Sequence, residues 1–175
     1  LNQIDFETWI HAPGMPPVTV DLETEEFNSA INLAQSFLDG TPDPNATNIY
    51  KTYNVNLKGL FIAHLIQNVG QIDSNLAQKI DEATGVGSEI NGELIFRWQQ
   101  VAVRSGYHTA PFAAEEAFLG SIGRMKFVVP VYDAINAVNH TEAQRIFDLH
   151  ENFYHPIAQD AIRDLLKKPV MFLSE

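Results

Sequence analysis

Two histidines near the end of the chain flank the segment that most resembles a catalytic motif. His150 and Glu151 are followed by His155, in an order similar to the zinc-binding sequence H-E-x-x-H. That motif works because its histidines lie four residues apart on one helix face. Here they are five residues apart, which rotates them roughly 140° away from a shared face. Pro156 also disfavours helical geometry at His155. The segment therefore predicts no zinc site.

The other residues that could do chemistry form no recognisable constellation. His64 lies on the apolar face of a predicted helix, where we expect a hydrogen-bonded interior histidine rather than a metal ligand. The chain has no cysteine, which excludes thiolate catalysis, disulfides and cysteine-ligated metals. Two N-x-T sequences match glycosylation acceptors, but we interpret Thr47 and Thr141 as helix caps. The sequence thus predicts no catalytic residue and no bound metal or other cofactor in this chain.

One pair of basic residues stands out, Arg124 and Lys126 in the segment G-R-M-K-F. A glycine precedes the pair, and Pro130 fits the first turn of a following helix, so the segment between them is predicted to be an extended connector. Arg124 and Lys126 would then point to one side, while Met125 and Phe127 would point into the core. The pair would also precede a helix N-terminus, which favours anions. This pattern indicates an anion site; the alternative is two surface charges that neutralise an acidic domain.

The elements that must position these residues are helices. Apolar residues recur with a helical period from about residue 23 onward, and no alternating strand pattern is present. Asn56, Asp73 and Asn91 are predicted helix caps. Short loops between eight or nine helices predict an all-α stack of antiparallel helix pairs. The first predicted helix ends at about Gly40. The later helices are predicted over residues 47–53, 57–69, 74–84, 92–105, 109–120, 130–138, 142–154 and 156–168.

Residues 1–20 differ from the remainder of the chain. Three prolines and a glycine occur within residues 13–17, which prevents a continuous helix there. Phe6, Trp9 and Ile10 precede this stretch and could fasten it to a surface. We therefore expect an extended interdomain connector over residues 1–20 and a helical domain over residues 21–175.

Composition narrows the possible functions. The 175 residues are 45% hydrophobic and carry a formal net charge of −11, which fits one globular domain. That charge repels nucleic acid and anionic membranes, so neither is an expected partner. No apolar run reaches the roughly 20 residues of a membrane-spanning helix. The chain begins at Leu1 without a methionine, which suggests a piece of a longer protein. The cytoplasm is the expected location of that protein.

Several segments together resemble one family. Residues 9–17 are similar to the W-x-x-x-P-G-x-P-P strap that follows the catalytic domain in zinc aminopeptidases of the leukotriene A4 hydrolase and aminopeptidase B group. The segments E-L-I-F-R-W at 93–98 and G-R-M-K-F at 123–127 resemble its C-terminal domain, as do Pro130 and the dipeptide His155-Pro156. The matches occur in the same order as in the family and span nearly the whole chain.

The resemblance implies an M1-family metallopeptidase whose last domain is this chain. In that family the domain is a right-handed, armadillo-like or HEAT-like superhelix that closes one side of the substrate cleft. Carried over by motif, Arg124 and Lys126 would bind the carboxylate of a peptide substrate. The zinc, the general base and the residues that recognise the amino terminus would all lie upstream of Leu1, in domains that this chain would contact.

The chain departs from the family's pattern at one position near the basic pair. Some relatives carry a basic residue before the proline where this chain has Val129, which would weaken the local positive field. Nothing in the sequence supports epoxide hydrolysis, so aminopeptidase is the expected activity of the parent. The alternative to a peptidase domain is a helical-repeat module that binds a protein partner on a concave face.

Overall fold

The computed structural model describes residues 5–15, 24–108 and 112–167, and the regular structure in these ranges is entirely helical. Nine α-helices follow residue 23 in the described part, which confirms the predicted all-α class. Short 3-10 helices lie at Val69–Gln71, Val86–Ser88 and Glu151–Phe153. The α-helices are α1 (Phe6–His11), α2 (Glu25–Leu38), α3 (Ala46–Thr52), α4 (Val55–Gln67), α5 (Ser74–Thr84), α6 (Gly92–Arg104), α7 (Ala113–Ser121), α8 (Met125–Val138), α9 (His140–His150) and α10 (Pro156–Leu166).

Alternate helices form one layer. α2 packs against α4, α4 against α6, and α6 against α8. The last pair is parallel, because Glu93 near the start of α6 contacts Lys126 near the start of α8, and Arg104 at the end of α6 contacts Asp133 further along α8. Intervening helices must carry the chain back, which gives the predicted antiparallel pairs. The superhelical arrangement of these helices and its right-handed sense stay predictions.

The core divides into two apolar clusters that share α6. Leu94 and Trp98 of α6 join the cluster formed with α2 to α5, whereas Phe96 and Val103 join the cluster formed with α7 to α10. Because successive positions of α6 face different neighbours, this helix is buried on two sides. α6 thereby fixes the position of α4 relative to α8.

Two of the three asparagine or aspartate residues predicted to cap helix N-termini do so. Asp73 accepts a hydrogen bond from the backbone N–H of the third residue of α5 at 2.8 Å, and Asn91 caps α6 in a similar way at 2.9 Å. Both caps confirm the prediction. Asn54 rather than Asn56 caps α4, because the helix begins two residues earlier than predicted.

The two threonines predicted as caps do not cap their helices. Asn45 and Asn139 occupy the N-cap positions of α3 and α9. Thr47 lies inside the first turn of α3, where its hydroxyl donates to the carbonyl of Ala83 at 2.6 Å. Thr141 is the second residue of α9. The predictions fail because each helix starts before its threonine.

The described part of the predicted connector contains a helix. Residues Phe6–His11 form α1, which is capped by Asp5 and has no buried residue. This segment is therefore helical rather than extended, and α1 ends before Pro13, as the proline requires. Its large side chains Phe6, Trp9 and Ile10 are half-exposed or more. The predicted boundary at residue 20 lies outside the described residues and stays a prediction.

α8 begins earlier than the sequence predicts. Arg124 is its N-cap with extended backbone, but Met125 to Val129 are helical, and Pro130 is the sixth helical residue rather than the first. The missing N–H of Pro130 removes one helical hydrogen bond near the helix start. Burial of Phe127 and of the following valine in the core outweighs that loss. Met125, predicted to point inward, is 39% exposed.

Candidate functional site

Three cations surround a pair of packed phenylalanine rings where α6 and α8 begin. The rings of Phe96 and Phe127 lie 5.0 Å apart between centroids. The guanidinium carbon of Arg97 is 4.6 Å from the Phe96 centroid. The guanidinium carbon of Arg124 and the ammonium of Lys126 lie 5.3 Å and 5.7 Å from the Phe127 centroid. We call Arg97, Arg124 and Lys126 the basic cluster; contacts of each cation with an aromatic face stabilise it.

Close packing of two helix starts creates this arrangement. A Cβ added to Gly92, the first residue of α6, would lie 3.6 Å from Cε2 of Phe127. This is an ordinary van der Waals distance, so the start of α6 lies directly beside the first turn of α8. Both helices direct free backbone N–H groups and the positive ends of their dipoles toward this region. The local potential is thus positive even though the chain as a whole is acidic.

Glu93 is the carboxylate that contacts the basic cluster. Lys126 Nζ donates to both of its oxygens, at 2.6 Å and 2.7 Å, and Arg97 approaches one of them at 3.1 Å. The hydrogen bond from Lys126 is the largest cause of the lowered pKa of Glu93. Glu93 therefore stays ionised at neutral pH and holds Lys126 and Arg97 in place.

Arg124 differs from the other arginines of the chain. Its side chain is exposed at the surface, and within the described ranges it makes no ion pair with a carboxylate. Each of the remaining arginines pairs with at least one acidic side chain; they are Arg97, Arg104, Arg145 and Arg163. The Arg124 guanidinium therefore offers its planar set of donors to a ligand without first breaking an ion pair.

A groove of ≈ 580 Å³ runs beside the basic cluster. Glu93, Arg97 and Lys126 line one side, and residues of α4 line the other, including Val55, Leu60 and other small or apolar residues. A mostly small or apolar wall that faces a row of charges can accommodate a ligand that has both an apolar part and a charged group.

The structure brings Arg124 and Lys126 together, although by a different geometry from the predicted one. Arg124 has the expected extended backbone, while Lys126 lies in the first turn of α8. Both cations contact the Phe127 ring, so they still share one region. Sequence reasoning did not assign a role to Glu93 or Arg97. Their spacing of four residues on one helix, which suits an ion pair, was the signal that could have found them.

The segment similar to H-E-x-x-H is divided among three elements. His150 ends α9, Glu151 begins a 3-10 helix and His155 caps α10. Glu151 pairs with Arg163, and Nδ1 of His155 accepts from a backbone N–H at 3.3 Å. These residues do not fit zinc, and no group of three or more His, Cys, Asp or Glu elsewhere in the described ranges could hold a metal ion.

The structure also bears on the predicted hydrogen bond of His64 and on the lengths of the helices. Nε2 of His64 lies 2.9 Å from the side-chain oxygen of Gln35, which confirms the predicted hydrogen bond, but the histidine is half-buried rather than interior. None of the helices in the described ranges is long and apolar enough to cross a membrane.

Comparison with known families identifies the kind of domain that this chain forms. A sequence model of the family "leukotriene A4 hydrolase, C-terminal" matches residues 53–166. The chain therefore belongs to the family of leukotriene A4 hydrolase C-terminal domains. The resemblance predicted from the G-R-M-K-F and other segments is confirmed.

Particular relatives are fungal aminopeptidases. Leucine aminopeptidase 2-1 of Meyerozyma guilliermondii is 29% identical over 181 residues, covering 95% of this chain and 29% of that protein. Leucine aminopeptidase 2-2 of Scheffersomyces stipitis is 30% identical over 177 residues, covering 93% of this chain and 28% of that protein. The chain thus spans less than a third of the length of these relatives.

A solved structure has the same fold. The structure of native yeast leukotriene A4 hydrolase superposes with a TM-score of 0.80 at 23% identity, covering 95% of this chain and 30% of that one. The same protein in complex with bestatin gives a TM-score of 0.78 at 24% identity. These matches support the helical fold over nearly the whole chain.

Proposed function

We propose that this chain is the C-terminal domain of a zinc-dependent aminopeptidase, where it closes one side of the substrate cleft and binds the carboxylate of a peptide substrate. Arg124 and Lys126 make that contact. The zinc and the groups that hydrolyse the peptide bond belong to other domains of the same polypeptide. Family membership and the names of the relatives support the class of activity.

One observation carries the assignment of the site, namely that the Arg124 guanidinium has no carboxylate partner among the residues that the structure describes. The chain has 22 acidic and 11 basic residues, and the other four arginines each pair with a carboxylate, so Arg124 stands out among the arginines. The basic cluster has three cations against the single carboxylate of Glu93, so it retains positive charge after that pairing. A carboxylate ligand would supply the missing counter-charge.

The two cations would contribute in different ways. The guanidinium of Arg124 can donate two parallel hydrogen bonds to one carboxylate, which fixes its orientation. Lys126 is already held by Glu93, so little side-chain freedom is lost when a ligand arrives. Fixing the carboxylate end of a short peptide in this way would determine which bond reaches the zinc.

Kinetics on the polypeptide that carries this chain and its catalytic part test the proposal. Arg124→Ala removes one charged hydrogen-bonding partner, worth about 1.5–3 kcal/mol. We expect kcat/KM for a tripeptide to fall roughly tenfold to a hundredfold, while the zinc content is unchanged.

Arg145→Ala is the matched control, since Arg145 is also partly exposed but pairs with Glu116 and Glu142. It should leave kcat/KM unchanged. Parent-like kinetics for Arg124→Ala would contradict the role of Arg124. An upstream reading frame without a zinc-binding motif would contradict the aminopeptidase assignment itself and favour a protein-binding module.

A further inference from the structure

A glycine in the interior of α4, Gly59, lines the groove beside the basic cluster. α4 has 13 residues and begins at Val55, so Gly59 lies one full turn inside the helix rather than at a cap. Glycine at such a position costs stability relative to alanine, because it has more conformational freedom to lose on folding. The structure around Gly59 should therefore show what the missing side chain is for.

Neither the backbone nor the packing of the described residues requires a glycine at position 59. Its φ does not lie in the left-handed region that favours glycine. A Cβ added to Gly59 would have one near neighbour within the described ranges, Cδ2 of Leu94 at 4.0 Å, which is an ordinary contact distance. Alanine would thus fit into the folded chain. The effect of the glycine is to leave open space on the side of α4 that faces the groove.

The wall around Gly59 is mostly small or apolar. Val55 precedes it by four residues and Ala63 follows it by four, so the three positions share one face of α4. Leu60 extends this apolar wall, and Asn56 is its polar member. A part of a ligand that lies against Gly59 therefore makes mainly apolar contacts.

The charged residues on the opposite side of the groove are already paired with one another. Both oxygens of Glu93 accept from Lys126, and one of them lies 3.1 Å from Arg97. A cationic side chain in the groove would meet the charges of Arg97 and Lys126, and an anionic one would compete with a bound carboxylate for the same cations. An apolar side chain can lie against the α4 wall without disturbing these contacts.

Lys126 joins the groove to the proposed carboxylate site, because it lines the groove and also belongs to the basic cluster. In a peptide, the last side chain branches from the carbon atom next to the terminal carboxylate. If Arg124 and Lys126 hold that carboxylate, the last side chain is the part of the peptide that begins nearest to Lys126. The groove is the space that Lys126 shares with α4.

We propose that Gly59 determines which peptides the carboxylate site accepts, by leaving room for a large apolar side chain on the last residue of the substrate. That side chain lies against Val55, Gly59 and Ala63 while its own carboxylate is bound by the basic cluster. The inference rests on the proposed function, since it takes the terminal carboxylate to be bound there, and it adds the preferred class of peptide.

Kinetics on two tripeptides that differ only in their last residue, leucine or glycine, test the proposal. The polypeptide that carries this chain and its catalytic part is assayed as the parent and with Gly59→Ala or Gly59→Leu. Gly70→Leu is the matched control, because Gly70 is exposed, lies outside the groove wall and would place its Cβ in open space. Thermal unfolding of every variant accompanies the kinetics.

We expect the parent to have the higher kcat/KM on the peptide that ends in leucine. Gly59→Leu fills the space and should lower this preference at least about tenfold, with kcat/KM on the other peptide little changed. Gly59→Ala should lower the preference to a smaller degree and raise the melting temperature, because it removes a glycine from the helix interior. Gly70→Leu should keep the preference of the parent. A purely structural role of Gly59 would not move stability and preference in opposite directions.

A parent without a preference for the leucine peptide would overturn the proposal. An unchanged preference in Gly59→Leu, or an equal loss on both peptides, would also overturn it. If Gly59→Leu does not fold, an unchanged preference in Gly59→Ala decides against the proposal in the same way. The carboxylate site itself is tested by Arg124→Ala, so a failure of the Gly59 variants alone would leave the proposed function intact.

Discussion

Glu115, a buried residue in the first turn of α7, supports a quantitative prediction about the stability of the fold. The carboxyl is buried and one of its oxygens has no hydrogen bond within the described residues. Burial raises its pKa because the ionised form has lost its solvation. Glu115→Gln preserves the shape of the side chain and removes the charge. We therefore expect this variant to be more stable than the parent.

The gain follows from the cost of the buried charge. An unpaired buried polar group costs about 1–3 kcal/mol, and more when it is charged. The amide retains part of that cost, so we expect an increase of about 1–2 kcal/mol in the free energy of unfolding at about pH 8. Below the ordinary glutamate pKa of 4.5, residue 115 is neutral in both the folded and the unfolded chain, and the gain should be small.

The pH dependence has a definite sign. As the pH rises above 4.5, the unfolded chain releases the proton of Glu115 while the folded chain keeps it, so the free energy of unfolding of the parent falls. The fall ends once folded Glu115 also ionises. The advantage of Glu115→Gln should therefore grow across this interval and remain constant above it.

Urea unfolding of the parent and of Glu115→Gln at about pH 4 and about pH 8 measures this difference. Glu116→Gln is the control, because Glu116 forms an exposed ion pair with Arg145 and should change stability little at either pH. A difference between the parent and Glu115→Gln that is the same at both pH values would refute the reasoning. So would a loss of stability at about pH 8.

Two further predictions concern buried hydrogen bonds and helix packing, and urea unfolding measures both. The Tyr154 hydroxyl donates to the buried carbonyl of Leu119 at 2.8 Å and lies 3.0 Å from the Tyr132 hydroxyl. Tyr154→Phe removes both hydrogen bonds and should lower the free energy of unfolding by about 1–3 kcal/mol. Tyr132→Phe removes only the second and should lower it by about 0.5–1.5 kcal/mol. Equal losses would be inconsistent with this ordering. Gly120→Ala should destabilise the fold by about 1–3 kcal/mol, since its Cβ would lie 2.6 Å from the His150 ring. Gly59→Ala, with its nearest atom at 4.0 Å, should stabilise α4 by up to about 1 kcal/mol; the opposite order of the two glycine variants would contradict this.

The features that the sequence predicted correctly depend on short-range physics. The helical period determines the all-α class, and caps such as Asp73 and Asn91 involve atoms only two or three residues apart. Arg124 and Lys126 stand out in the sequence because basic residues are scarce in this chain and their motif resembles a family, and their role in binding a carboxylate stays a proposal.

The features that the sequence missed depend on long-range contacts. α8 begins before Pro130 because burial of Phe127 outweighs the local preference of a residue that precedes proline. Glu93 lies 33 residues before Lys126, so no local pattern pairs them. Gln99 of α6 donates to the carbonyl of Ala114 in α7, and Glu115 of α7 is buried; no sequence periodicity predicts either feature.

The most direct test of the carboxylate-binding claim compares two substrates that differ only at that carboxylate. Parent and Arg124→Ala polypeptides, each with its catalytic part, are assayed on a tripeptide and on its C-terminal amide. We predict that the parent prefers the free acid by roughly tenfold to a hundredfold, and that Arg124→Ala loses most of this preference while its kcat/KM for the amide is unchanged. An undiminished preference for the acid in Arg124→Ala, or an equal loss on both substrates, would contradict the account.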